Sequence, residues 1–193
     1  MIGLRVAVVS VLVAAGCGSK NGQGADAGDP MDPRHCSPLV AAVPYEGATH
    51  VPDGTTVTYK NNPPASGNHW PSPQPWGAYI NQTIPRERWV HNLEHGGIVF
   101  LFNCPGVTDA SSSGDGGAVS PCPEITNALQ LLRDEVKPNQ FNDVLIVITP
   151  DPLLPNKVAA VAWDYTLVSD HVDLAAFRCF RDARYDQGPE HVE

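Results

Sequence analysis

Pro85-Arg86-Glu87-Arg88-Trp89-Val90-His91-Asn92-Leu93-Glu94-His95-Gly96-Gly97-Ile98-Val99-Phe100-Leu101-Phe102 decides the architecture, because it reads as a helix, a stop and a buried strand in direct succession. Pro85 opens a helix expected to run to His95, since proline is tolerated in the first turn, where its missing N–H is not needed. Gly96-Gly97 ends it, and Ile98 to Phe102 is an apolar run too short for a helix and suited to a strand covered on both faces. At about 100° per residue, Trp89, Val90 and Leu93 gather on one side of the helix. His91 and His95 lie about 40° apart on a different side, with Glu94 between the two groups. The histidines are therefore not core filling, and they face either solvent or another segment of the chain. Their four-residue spacing sets the Cβ atoms about 5–6 Å apart, close enough to share a metal ion. The string also follows the H-x-x-E-H pattern of one class of zinc peptidases, in which two histidines bind zinc and the glutamate handles protons. A bland reading treats them as exposed helix residues, with His95 favourably placed near the helix C-terminus.

Outward from this stretch, the coarse pattern is of strands and helices that do not alternate strictly. Thr55 to Lys60 alternates like a short strand. Asn61 to Trp76 is dominated by Pro, Gly, Ser and Asn and reads as a long loop. Pro123 begins a second helix through about Val136, with Ile125, Leu129, Leu132 and Val136 on one stripe. Val144 to Thr149 is expected as a second buried strand, Val158 to Val168 as a third, and Leu174 to Tyr185 as a final helix. The expected fold class is α+β, a mixed β-sheet packed with about three helices, with an ordered Pro/Gly-rich loop over the first helix.

The N-terminus carries an export signal. Arg5 precedes an apolar and small run, Val6 to Ala15, which is too short to span a bilayer but long enough for a signal-peptide core. Ala14-Ala15-Gly16-Cys17 resembles the processing site of bacterial lipoproteins, at which Cys17 becomes the lipidated N-terminus, although Ala14 stands where a larger aliphatic residue is more usual. An ordinary secretory signal is the alternative, and both readings export the protein. Residues 1–16 are thus expected to be a leader, 17–34 a flexible tether rich in Gly, Ala, Asn, Asp and Pro, and 35–193 one histidine-rich domain. The expected location is the cell envelope, lipid-anchored, on the periplasmic or surface side. A formal charge of -9, from 21 acidic and 12 basic residues, argues against nucleic acid and against electrostatic adhesion to anionic lipid, so the membrane is reached through the N-terminal lipid.

Cys36, Cys104, Cys122 and Cys179 remain when Cys17 is set aside, an even number that suggests two disulfides in an oxidising compartment. Of three possible pairings, Cys104 with Cys122 and Cys36 with Cys179 is the one expected. The first closes the Gly/Ser-rich loop Gly106 to Ser120, and the second ties the two ends of the domain together. A thiolate metal site is the competing reading, weakened by the lack of any C-x-x-C pair.

His69 sits in Pro63-Pro64-Ala65-Ser66-Gly67-Asn68-His69-Trp70-Pro71, where prolines restrict the backbone and Gly67 permits a turn. If this loop folds over the first helix, His69 joins His91 and His95 as a third nitrogen ligand, with His50 or Glu94 available as a fourth. The combination of Pro63 to Trp70, Trp76-Gly77-Ala78-Tyr79 and His91 to Gly97 resembles the bacterial exported family catalogued as domain of unknown function 3105. His50 and Gln187-Gly188-Pro189-Glu190 match features of the same family. This resemblance implies a shared histidine-rich site and no particular reaction, and the loop between Cys104 and Cys122 is then a local elaboration.

Three or four imidazoles suit copper or zinc. Met1 and Met31 are the only methionines, which argues against a blue-copper centre or a methionine-rich copper(I) carrier. Three functions stay open. The first is an envelope lipoprotein that binds copper or zinc through His69, His91, His95 and His50 for metal handling, sensing or redox use. The second is a zinc hydrolase with His91 and His95 as ligands and Glu94 as catalytic base, for which no clear downstream third ligand is present: His171 is a poor candidate in a polar turn, and Glu190 is a candidate that lies near the chain end. The third is a metal-free peptide or glycan binding surface. Substrate, oligomeric state and protein partner are not specified by the sequence.

Overall fold

The computed structural model describes residues 29–104 and 122–190. The expected leader, Cys17, the first part of the tether and the Gly/Ser-rich loop between Cys104 and Cys122 lie outside these residues.

Six strands form one mixed sheet: β1 (Val40–Ala42), β2 (Gly77–Ala78), β3 (Ile98–Phe102), β4 (Ile146–Pro150), β5 (Val158–Ala162) and β6 (Tyr165–Ser169), in the order β1-β6-β5-β3-β4-β2. β4 pairs parallel with β2 and β3, whereas β3–β5, β5–β6 and β6–β1 are antiparallel. Three helices, α1 (Arg86–Glu94), α2 (Pro123–Asp134) and α3 (Leu174–Arg184), complete an α+β fold. The central strands β3, β4 and β5 are buried at every position, so successive side chains feed two separate cores. Ile98, Phe100, Phe102, Ile146, Ile148 and Ala160 pack with Leu129 and Leu132 of α2 and Phe177 and Phe180 of α3. Val99, Leu101, Val147, Ala159 and Val161 point the other way, onto Trp89, Val90 and Leu93 of α1. The apolar side of α1 is therefore the one its periodicity marks, and the helix has a face of the sheet to itself.

Two expected strands differ. Thr55 to Lys60 is irregular and pairs with no neighbouring strand: Val57 N–H donates to Glu87 at 2.9 Å and Lys60 N–H to Glu46 at 2.7 Å, while Thr55 N–H donates to Pro52 O at 3.0 Å; just beyond it, Asn61 N–H donates to Glu46 at 2.8 Å. Val158 to Val168 is two strands, not one. Ala162 pairs with Tyr165 across a reversal at Trp163-Asp164, where Asp164 adopts φ 63°, a conformation that Asp tolerates better than most residues. Helix ends fall within a residue or two of expectation, and β1 and β2, with three and two residues, are too short to leave a periodic signal.

Both expected disulfides form, Cys36–Cys179 with Cα atoms 5.5 Å apart and Cys104–Cys122 at 6.1 Å. Two closed disulfides fit an oxidising, exported environment. Among the described residues, no helix is long and apolar enough to cross a membrane.

Candidate metal centre

The segment before α1 lies against the helix and is fastened to it at several points. Trp70 N–H donates to Glu87 O at 3.0 Å, and the Asn92 side chain clasps Gln74, accepting from its N–H at 2.9 Å and donating to its carbonyl at 2.8 Å. His50 and His69 face each other in an isolated parallel bridge, with Val51 N–H donating to His69 O at 2.8 Å. Gly67 makes the turn possible. Its φ is +124°, and a Cβ there would meet the Tyr59 ring at 2.8 Å.

This packing gathers His50, His69, His91 and Glu94 into a cluster whose candidate donor atoms all lie within 4.8 Å of one another, an arrangement that could hold a metal ion. The His50, His69 and His91 rings form a near-equilateral triangle, with centroids 4.8 to 4.9 Å apart. In tetrahedral zinc with metal–nitrogen bonds of about 2.0–2.1 Å, ligand nitrogens stand about 3.3 Å apart, so these donors would have to draw closer to share one such ion. His69 is wholly buried and His91 and Glu94 nearly so, while His50 is half-exposed and closes the open side.

The hydrogen bonds orient the two buried imidazoles. A carbonyl only accepts, so His69 Nδ1–H donates to Gly67 O at 2.8 Å and His91 Nδ1–H donates to Trp70 O at 2.7 Å. Each ring is left with a bare Nε2 lone pair aimed inward, the state and orientation that metal-ligating histidines adopt. His69 Nε2 lies 2.9 Å from Glu94 Oε2, and His91 Nε2 lies 3.1 Å from His95 Nε2. Two facing lone pairs repel, so a proton or a cation must lie between His69 and Glu94. Burial lowers the pKa of His69, His91 and His95, outweighing the hydrogen bonds to Gly67 and Trp70 that favour protonation of the first two. Burial, followed by the charge of Glu190, raises that of Glu94. Burial therefore disfavours the charged form on both sides of the His69–Glu94 contact. A bound cation reverses the preference of Glu94 and suits the neutral imidazoles.

His95, expected as a ligand beside His91, is set apart from the four-residue cluster. It groups with Glu94 and Glu190, and its Nε2 lies 3.7 Å from Glu190 Oε2. It also borders a cavity of about 840 Å³ lined by Trp76, Asn92, Phe141 and Tyr185, among others. Glu94, expected as catalytic base or fourth ligand, stands within the cluster. His171 is exposed in the turn after β6.

The imidazole pKa shifts set a pH dependence for the metal-free protein. Each lowered histidine binds fewer protons in the folded than in the unfolded chain, so its contribution to stability is complete above about pH 6.5 and is lost as pH falls toward the lowered folded value. Glu94 acts in the opposite sense, its contribution falling as pH rises from 4.5 toward its raised value. With three imidazoles against one carboxyl, denaturant midpoints of the metal-free protein are expected to drop between pH 7.5 and pH 5.5. A flat or rising midpoint over that range would contradict neutral, desolvated imidazoles.

The fold and the cluster together define an α+β domain carrying a histidine–carboxylate group that could hold a metal ion. Residues 50–113 match the family described as protein of unknown function DUF3105, the one that the sequence motifs resemble. That match takes in His50, the His69 loop and α1, and stops short of the Gln187 to Glu190 segment. No curated protein and no solved structure matches the chain.

Proposed function

We propose that this chain is an exported, lipid-tethered envelope protein whose domain holds one transition-metal ion, copper or zinc, through His50, His69, His91 and Glu94, for metal handling, sensing or redox use. The observation that carries the reading is the convergence of two buried Nε2 lone pairs and a carboxylate, each imidazole locked by a backbone carbonyl on its far side. Three imidazoles and one carboxylate are donors of borderline character, suited to zinc, copper(II) and their neighbours in the first transition series more than to calcium or magnesium. The signal-like run ending at Cys17 and the paired cysteines support export and anchoring. Metal analysis of the purified chain, as isolated and after reloading with Zn2+ or Cu2+, is expected to give at least one tightly held equivalent. Failure to retain either ion removes the proposal.

A zinc hydrolase with Glu94 as base is the second reading. Its weakness is the 2.9 Å contact between Glu94 and His69, which sets the carboxylate among the donors instead of across an open coordination position. The Glu94→Gln variant separates the two: a ligand role predicts weakened metal retention, whereas retained metal with abolished hydrolysis would favour the base.

A further inference from the structure

The segment after α3 crosses the C-terminal end of α1 and is fixed there by its backbone. Asp186 N–H donates to Gly96 O at 2.8 Å and Glu190 N–H donates to Glu94 O at 3.1 Å. At the crossing, Gly188 approaches so closely that a Cβ on it would stand 2.2 Å from both Glu94 O and Gly96 N, so the crossing requires glycine. Its result is to bring Glu190 beside His95. Glu94, His95 and Glu190 then offer one donor atom each within 4.8 Å of one another, and Glu94 is common to this set and to the cluster with His50, His69 and His91.

Three further observations bear on what this second set can do. His91 and His95, one from each set, have their Nε2 atoms 3.1 Å apart, so the two sets are contiguous. His95 borders the cavity of about 840 Å³, whereas His69 and His91 of the first cluster are buried. Glu190 reaches the buried Glu94 from a separate segment, so that two carboxyl groups and the His95 ring converge on one point between α1 and the chain after α3.

We propose that Glu94, His95 and Glu190 form a second metal site, that Glu94 bridges it to the first, and that the domain therefore carries a two-metal centre. This inference rests on the reading of the first cluster as a metal site. One imidazole and two carboxylates suit a divalent ion of the zinc class and not copper(I). Paired ions bridged in this way stand about 3.5–4 Å apart. Three protein donors leave the second ion a coordination position open toward the cavity, where water or an anionic oxygen of a small ligand can bind.

The test uses the full chain purified in detergent, stripped of metal, reloaded by dialysis against Zn2+ in the presence of a weak chelator, and analysed for bound zinc. Two equivalents are expected for the native chain and one for Glu190→Ala, a substitution at a largely exposed side chain that leaves the cores untouched. Reloading with Cu2+ is expected to give the magnetically coupled signal of two nearby ions in the native chain and an isolated Cu2+ signal in the variant. One equivalent in both proteins overturns the second site and leaves the first standing, and no retained zinc in the native chain overturns both. Any count other than one in the variant overturns the assignment of Glu190.

Discussion

Replacing His69 with alanine is expected to abolish tight metal retention by the cluster of His50, His69, His91 and Glu94, lowering its affinity by at least about a hundredfold, a loss that even the removal of an outer partner of a metal ligand can approach. His69 carries this weight for three reasons. It is wholly buried, its Nδ1–H is fixed on Gly67 O, and its Nε2 is the nitrogen closest to Glu94. Removing the ring leaves a polar void facing a carboxyl group that burial already disfavours in its charged form. A ligand present at about a thousand times its dissociation constant stabilises the fold by about 4 kcal/mol. Saturating Zn2+ is therefore expected to raise the melting temperature of the native chain and to leave that of His69→Ala nearly unmoved. The exposed His171→Ala serves as the control and is expected to behave as the native chain. A full zinc-induced shift in His69→Ala would show that the ion sits elsewhere.

The largest effect on stability is expected from the disulfide that joins the ends of the fold. Cys36 follows the 3-10 turn at Pro33–His35 and Cys179 lies within α3, 143 residues further along the chain. By loop-closure entropy, a cross-link over so long a loop restrains the unfolded chain by about 5 kcal/mol, against about 3 kcal/mol for the short loop closed by Cys104–Cys122. Domains of this kind are stable by only about 5–15 kcal/mol in total. The double variant Cys36→Ser/Cys179→Ser is expected to lose about 4–5 kcal/mol in denaturant unfolding, more than Cys104→Ser/Cys122→Ser loses. Equal losses in the two variants would show that strain or residual structure, and not loop length, governs the outcome.

Much of the fold was legible because α1 and β3 announce themselves. Trp89, Val90 and Leu93 share one helical face and meet Val99 and Leu101, and the glycine stop falls where the helix ends. Two disulfides were legible from the even cysteine count and the export signal, and their pairing from the Gly/Ser-rich loop that Cys104 and Cys122 bracket and the domain ends that Cys36 and Cys179 mark. Thr55 to Lys60 misled, because alternation of side chains does not supply a partner strand, and there Glu87 and Glu46 accept from the Val57 and Lys60 N–H groups instead. The reversal at Asp164 was hidden within an apolar run that carries neither glycine nor proline.

At the site, the loop histidine and the helix histidines could be named from the sequence, but their sorting could not. Helical spacing joins His91 to His95, whereas in the structure His95 turns to the cavity and to Glu190 and Glu94 goes inward beneath the loop. The carbonyls of Gly67 and Trp70, which fix both ring tautomers, leave no trace in side-chain identity. Glu190 was visible as a candidate ligand near the chain end and within the Gln187 to Glu190 resemblance, but nothing in the sequence placed it beside His95. The hint was Gly188 beside it, the residue whose missing side chain admits the crossing.

The bridge between His50 and His69, and their meeting with α1, have a consequence for timing. The ligands arrive from separate stretches of chain that come together only when the loop is seated on the helix, so a nascent or threaded polypeptide has no preformed place for the ion. If the cluster holds a metal as proposed, metal choice is made at the moment and in the compartment of folding. On the proposed function, a chain exported in extended form takes its ion only after crossing, so the metal recovered with the native protein is expected to report the compartment in which it folded.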